Sequence, residues 1–296
     1  MVGCDNTCSF CIVPKTRGVE VSRPVRAILD EIGALVAQGC REVMLLGQNV
    51  NSYRGDDGSH FPALLERVDA IGGLERIRFV TSHPKDFRQP LIEAMRDLPR
   101  VMESIHLPAQ AGATTTLNRM RRTHTREGYL RGIDALRGAI PPPDSAITTD
   151  LIVGFPGETE EEFQQTLSMT ERVRWDSAYT FMYSPRAGTH AADTMVDDVS
   201  EEEKKRRLRI LIDLQEGISA EINAALVGRE EEVLFETVSR RSSDDLMGRT
   251  RTDKCVIVPA PCELIGQVCR VRISGGAAHT LFGELIEAQE ATALAG

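Results

Sequence analysis

The sequence lacks the features that tie a chain to a membrane. No apolar run approaches the roughly 20 residues that cross a bilayer, which excludes a helical membrane protein. Met1 to Arg17 holds no long apolar stretch of the signal-peptide kind, so a cytoplasmic location is expected. No internal repeat is present, which excludes a solenoid, and no low-complexity segment is present either. Positive charge is also short. The 35 Lys and Arg residues stand against 44 Asp and Glu, a net charge of -9. Such a balance argues against a simple nucleic-acid-binding module, whose affinity rests on phosphate contacts. It leaves room for an enzyme with a localised basic face.

What the sequence does have is a cysteine cluster. Of seven cysteines, Cys4, Cys8 and Cys11 share one short stretch, whereas Cys40, Cys255, Cys262 and Cys269 are scattered. In a cytosolic protein a tight cluster reads as metal binding rather than as a disulfide framework. The four scattered cysteines are expected to pack.

The 296 residues allow one large domain plus a small one, or two medium ones. Val25, Ile28, Leu29, Ile32, Leu35 and Val36 repeat at helical spacing after Pro24, and Gly39 ends the run. Glu42 to Leu46 reads as a strand. Further helices centre on Leu64 to Ile71, Leu91 to Met95, Thr115 to Met120 and Arg126 to Arg137. Strands are expected over Ile77 to Val80, Ser104 to Leu107, Ala146 to Val153 and Ala178 to Met182. Glu160 to Val173 reads as a helix. Alternating units of this kind imply an α/β fold with a parallel sheet, as an open or closed barrel, with functional groups at the carboxyl ends of the strands. Ser200 to Leu226 is a long helical pattern. After Gly228 short strand-like runs follow over Val233–Val238, Cys255–Val258, Val268–Ile273 and Thr280–Leu285. They suggest a small all-β barrel of about sixty residues.

Cys4-Asp5-Asn6-Thr7-Cys8-Ser9-Phe10-Cys11 has the spacing CxxxCxxC. Three thiolates on one loop suit three irons of a [4Fe–4S] cubane and leave the fourth open to a small molecule. A structural zinc site is the competing reading. Zinc usually wants four protein ligands, and no fourth Cys or His lies close by.

At this point the sequence resembles the radical S-adenosylmethionine (SAM) superfamily. Several stretches are similar to its MiaB-type tRNA methylthiotransferases: Gly47 to Tyr53, Arg78 to Pro84, His106 to Gln110, Asp150 to Thr159 and Tyr183 to Thr189. The tail from Leu226 to Gln289 resembles the TRAM domain, a small RNA-binding β-barrel. The resemblance implies a partial radical-SAM (β/α) barrel over residues 1–225, followed by a TRAM-like barrel over 226–289. It implies one [4Fe–4S] cluster on Cys4, Cys8 and Cys11. The open iron would bind the amino and carboxylate groups of SAM, and electron transfer would yield a 5′-deoxyadenosyl radical. Gly47, Gln48 and Asn49 would then line the loop beside the SAM amino group. Gln110 would bond SAM or the base, and Gly154 and Pro156 would form the adenine-contacting turn.

The activity implied is addition of a methylthio group to carbon 2 of isopentenyl-adenosine beside the anticodon of tRNA, with two SAM molecules used. A related methylthiotransferase acting on threonylcarbamoyl-adenosine or on a ribosomal-protein aspartate is the alternative. A non-catalytic RNA-binding protein with a structural metal is a third reading. The partners implied are tRNA and an electron donor such as flavodoxin or ferredoxin, with a monomeric enzyme and no membrane.

Two departures from the family pattern stand out. Ala111-Gly112-Ala113 replaces Ser-Gly-Ser, so two hydroxyls near SAM or substrate are lost. The chain also begins three residues before Cys4. The family's second cluster, and the barrel strand that precedes the first cluster loop, are therefore not supplied by this chain, and Met1 is expected to be an internal methionine or the start of a fragment.

Among basic residues, Arg119, Arg121, Arg122 and Arg126 follow the Gln110 loop and have no acid nearby before Glu127, so they are candidates for RNA contact. Arg249, Arg251 and Lys254 are candidates in the tail. Lys204 to Arg207 and Arg209 read instead as a solvated helix face, because Glu201, Glu202 and Glu203 each precede a basic residue by four. His83 and His106 fall at strand ends and are given no catalytic role.

Overall fold

A computed structural model describes residues 1–288. The chain divides into two compact units, Met1–Gln215 and a second from Glu216 onward.

In the first unit the order is α1 (Val13–Arg17), α2 (Val25–Ala37), β1 (Glu42–Leu46), α3 (Phe61–Asp69), β2 (Arg76–Val80), α4 (Gln89–Asp97), β3 (Ser104–His106), α5 (Thr114–Arg119), α6 (Arg126–Ala139), β4 (Ala146–Val153), α7 (Glu160–Val173), β5 (Ser177–Met182), α8 (His190–Thr194) and α9 (Glu201–Ala224), the last of which runs on past Gln215. β1 pairs with β2, and β3, β4 and β5 pair in that order, all parallel. Ile77 bridges β2 to Val101 just ahead of β3, and Ser82 N donates to His106 O. The strands thus follow chain order, as successive β–α units with helical crossovers dictate. Among the described residues β1 has no second strand partner. A cavity of about 500 Å³ lies between α2 and β1, lined largely by apolar side chains such as Ile32, Leu35, Val43, Leu45 and Phe61.

Local chemistry sets the element ends. Pro24 has no side chain to cap α2, and Asp56 from a distant loop accepts from Val25 N at 3.0 Å instead. α7 opens with a capping box between Thr159 and Glu162, and three glutamates occupy its first turn, where the helix dipole favours negative charge. Residue parity then separates the two faces of the sheet. Ile77, Phe79, Ile105, Ile147, Leu151 and Val153 turn toward the helices and join the main core, with Phe61, Phe163 and Trp175 fully buried there. The opposite face carries Arg78, His106, Thr148, Asp150, Tyr179 and Phe181.

The second unit is a closed five-stranded barrel built from β6 (Glu230–Val238), β7 (Asp245–Thr250), β8 (Cys255–Pro259), β9 (Val268–Ala277) and β10 (Thr280–Ala288), in the spatial order β10-β8-β7-β6-β9. Closure removes the free edges that an open sheet would expose. Val233, Phe235, Leu246, Val256, Val258, Val271 and Leu281 fill its interior. The expected strands are present and longer than read. β7 is an addition: Gly248 and Arg249 interrupt its apolar alternation, so the sequence DLMGRT carries little strand signal. Gln289, the last residue of the expected tail domain, lies outside the described residues.

Candidate iron–sulfur and SAM site

The three clustered cysteines lie on the segment between Gly3 and α1. Gly3 sits at φ +78°, and a Cβ there would stand 1.9 Å from Val19 O, so only glycine permits this crossing. The crossing is held by Cys4 N donating to Gly18 O and by a bridge between Val2 and Val21. Ser9, fully buried, clamps the other half of the loop. Its N donates to Met120 O and its hydroxyl to Arg119 O at 2.9 Å, while its carbonyl accepts from Ala191 N at 2.7 Å. Phe10 stacks edge-on with Phe155 at 6.4 Å. The loop is thereby fixed to α5, α8 and the turn after β4.

All three cysteines are half-buried and unpaired by disulfide. Each sulfur faces one N–H group. Asn6 Nδ2 donates to Cys4 Sγ at 3.2 Å, Arg122 Nη1 donates to Cys8 Sγ at 3.4 Å, and the Val13 backbone donates to Cys11. Burial pushes the Cys11 thiol up, with Cys8 and Cys4 adding to the effect and Arg186 opposing it. Among the described residues no three His, Cys, Asp or Glu side chains converge as ligands of a single ion. A cubane makes no such demand, because each thiolate holds a different iron.

The expected SAM-loop residues lie beside this loop. Gln48 Oε1 accepts from Gly3 N at 3.2 Å, so this side chain braces the cysteine loop. Gly47 packs against Met1, where a Cβ would stand 2.6 Å from the Met1 side chain. Asn49, 1% exposed, donates to Asp86 at 2.7 Å and accepts from His83 N at 3.1 Å, so it ties the ends of β1 and β2 together. Gln110 holds a φ of +69° while its backbone bonds to Asp150 and Ile152. A non-glycine residue in that region is strained and aims its side chain away from the path of a normal strand. Thr81, at the end of β2, shares this conformation with φ +68°. Gly154 and Pro156 sit in the turn after β4. That turn is held by Glu158, whose Oε2 accepts from Gly154 N at 2.6 Å and from Arg207 at 2.9 Å. Burial pushes Glu158 up, and those two donors oppose it. Ala111 and Ala113 are both fully buried, and Ala111 packs in an apolar cluster with Leu117, Met120 and Phe155, which takes the place of a hydroxyl there.

The basic candidates are distributed differently from the sequence reading. Arg119 is half-buried. It pairs with Glu162 and donates to Pro156 O at 3.1 Å. Burial pushes Glu162 up, but Arg119, Thr115 and the Thr159 backbone outweigh it and hold the carboxyl down at about 2. Arg122 also turns inward, 8% exposed and directed at Cys8. Arg126 bonds the Gly112 carbonyl and Ser168. Of this group only Arg121 is exposed, beside His190 at 2.9 Å. In the tail, Arg249 is held by Asp253 at 3.1 Å and Glu236 at 3.5 Å. Arg251 and Lys254 are half-exposed. The Lys204–Arg207 run is not a wholly solvated face. Lys204 is 1% exposed and bonds Asp197 at 2.6 Å, and Arg207 is buried against Glu158. Cys262 is exposed and so does not pack in a core, whereas Cys269 does.

Sequence reasoning missed two features. His106 lies 2.9 Å from Thr148 Oγ1 and 3.4 Å from Asp150 Oδ2 on the inner face of the sheet, with Tyr179 edge-on at 6.1 Å. Tyr179 and Phe181 are 62% and 51% exposed there. Their alternation along β5 was the available signal. Arg240 and Arg241 are exposed in the turn between β6 and β7, and no acid pairs with either among the described residues. Two adjacent arginines in a serine-rich turn were the signal for these.

The radical SAM superfamily model matches residues 1–170, and the TRAM domain model matches residues 224–286. The chain belongs to the radical SAM superfamily. That membership implies a [4Fe–4S] cluster and SAM. A tRNA-2-methylthio-N(6)-dimethylallyladenosine synthase of Thermoanaerobacter sp. (strain X514) is 52% identical over 96% of this chain and 60% of its own length. Enzymes of the same name from Moorella thermoacetica and Chlorobium limicola are 50% and 49% identical, over 96% and 98% of this chain and 64% and 65% of their own lengths. The chain therefore spans about three fifths of the length of such relatives. Coproporphyrinogen III oxidase (HemN) of Escherichia coli, a radical SAM enzyme, superposes with a TM-score of 0.53 at 14% identity, covering 93% of this chain and 65% of its own. The radical SAM methyltransferase TsrM of Kitasatospora setae gives 0.51 at 17% identity, over 64% and 37%. These two share the fold. Among the described residues no helix is long and apolar enough to cross a membrane.

Proposed function

We propose that this chain is the catalytic and RNA-binding portion of an enzyme that adds a methylthio group to carbon 2 of isopentenyl-adenosine beside the anticodon of tRNA. The observation that carries the reading is the identity of about one half to synthases of that name, sustained over 96% of the chain. Residues 1–225 act as the radical SAM core and 226–289 as the RNA-binding barrel. Cys4, Cys8 and Cys11 hold one [4Fe–4S] cluster with an open iron. When bound, the cluster supplies the electron that cleaves SAM, and the radical chemistry that follows suits an aromatic C–H no side-chain base would deprotonate. A second cluster, where present, takes its ligands from outside this chain.

The chain's own residues bind and orient. Gly47, Gln48 and Asn49 shape the wall beside the cysteine loop, Gln110 directs a polar side chain from a strained backbone, and Gly154 and Pro156 form the adenine-side turn. Tyr179 and Phe181 offer a stacking surface for a splayed base, the usual mode of single-stranded RNA recognition. Arg121, Arg240, Arg241, Arg251 and Lys254 meet phosphates. A small reduced carrier such as flavodoxin or ferredoxin delivers the electrons to a monomeric, cytoplasmic enzyme.

Mass spectrometry of tRNA from a strain lacking the gene tests the proposal. Isopentenyl-adenosine without its methylthio group is the expected result. Persistence of the methylthio group, with loss of a methylthio group on threonylcarbamoyl-adenosine or on a ribosomal protein, would overturn it in favour of the related activity.

A further inference from the structure

Among the described residues Arg122 is a buried cation with no carboxylate partner. It is 8% exposed. Its Nη2 donates to Pro108 O at 2.9 Å and its Nη1 to Cys8 Sγ at 3.4 Å, while its Nε is buried and makes no hydrogen bond. Among the described residues no carboxylate pairs with it. The titratable groups near it, besides Cys8, are His83, His124 and Tyr129, the last a buried phenol that burial keeps protonated. Burial pushes both imidazoles down, and the Arg122 charge pushes them further, so neither supplies negative charge. A buried, unpaired guanidinium carries a large desolvation penalty, and such charges persist where an anion meets them. Among the described residues, the group placed to meet it is the cysteine loop, whose sulfurs hold metal as thiolates.

We propose that Arg122 is the counter-charge of the iron–sulfur cluster and sets its reduction potential through Cys8. The inference rests on the reading that Cys4, Cys8 and Cys11 hold that cluster. Each thiolate adds a negative charge to the site, and one-electron reduction adds another. A fixed cation bonded to one thiolate stabilises the reduced form more than the oxidised one and raises the potential. Charge-assisted bonds are roughly twice as strong as neutral ones, so Arg122 should outweigh Asn6, which offers a neutral amide to Cys4 at 3.2 Å. Arg122 is a tuning residue that acts through Cys8.

The test is an EPR-monitored redox titration of the anaerobically reconstituted chain before SAM is added, comparing wild type with Arg122→Met, Arg122→Gln and Asn6→Ala. At a fixed potential Arg122→Met should hold about tenfold less reduced relative to oxidised cluster, equivalent to a shift of about 59 mV to more negative potential for one electron. Arg122→Gln should follow in the same direction, and Asn6→Ala should shift less. Iron content should match wild type; a purely structural role would not combine full iron content with a changed potential. If Arg122→Met loses its iron, Arg122→Gln provides the reading. An unchanged potential in whichever variant keeps a full cluster overturns the proposal. So does loss of the cluster in both, which would make Arg122 a brace for the loop. Absence of a cluster from wild type would instead refute the cysteine assignment on which the inference rests.

Discussion

At the scale of single residues, the polar groups inside the first unit have protonation states set by burial. His124 is held down to about 4, by burial first and then by Arg122, against a hydrogen bond to Ala109 O that favours the charged form. His83 is held down to about 2, with burial again the largest cause. Both are neutral at pH 7. Between these values and the ordinary histidine value near 6.5, the unfolded chain binds more protons than the folded one. Stability is therefore full above about pH 6.5 and falls on acidification, by up to ~1.4 kcal/mol per pH unit for each such group. Urea denaturation at pH 7 and pH 5 should show this loss, and His124→Gln should reduce the slope. A slope unchanged in that variant would place the dependence elsewhere. None of this was legible in the sequence. The spacing of Cys4, Cys8 and Cys11 is local and announces itself, whereas Arg122 meets Cys8 from more than a hundred residues away in the chain, and His124 packs on His83 and bonds Ala109 O, contacts that only the fold creates.

At the scale of elements, strongly periodic segments were readable to within a few residues. α7 and β1 fall where their patterns place them, because capping residues and apolar spacing act within one turn or one strand. The orientation of basic faces was not readable, because it follows from what the helix packs on. Lys204 is drawn inward by Asp197 and by the ring of Tyr183 at 5.6 Å, partners that helical spacing does not reveal. The loop after β3 shows the same dependence on tertiary packing. Gly112 N donates to Thr166 Oγ1 at 3.0 Å, and a Cβ on Gly112 would stand 2.4 Å from the Thr166 backbone. Gly112→Ala should force α7 away from the Gln110 loop and cost about 1–3 kcal/mol, as overpacking usually does. Thermal denaturation checks the loss. A variant as stable as wild type would show that the loop has room that the structure does not give it.

At the scale of the whole molecule, the proposed RNA binding requires an acidic chain to confine its positive charge. In the tail several cations pair with neighbouring acids: Arg229 with Glu231, Arg270 and Arg272 with Glu230, and Arg249 with Asp253 and Glu236. Arg240 and Arg241 are left exposed in the β6–β7 turn. Arg240→Glu with Arg241→Glu should weaken tRNA binding and lower the steepness of its salt dependence by roughly one unit for each phosphate no longer neutralised. Fluorescence anisotropy across a salt series would measure it, and an unchanged slope would remove these residues from the RNA surface. Both the chemistry and the role of Arg122 depend on the cysteine loop. Iron and sulfide analysis with EPR after anaerobic reconstitution tests that loop most directly, on wild type and on Cys4→Ala, Cys8→Ala, Cys11→Ala and Cys40→Ala. The expected result is about four irons and four sulfides per chain, a reduced signal that changes when SAM is added, loss of both in each of the first three variants and retention in Cys40→Ala. Zinc in place of iron, or a cluster that survives removal of Cys4, Cys8 or Cys11, would contradict it.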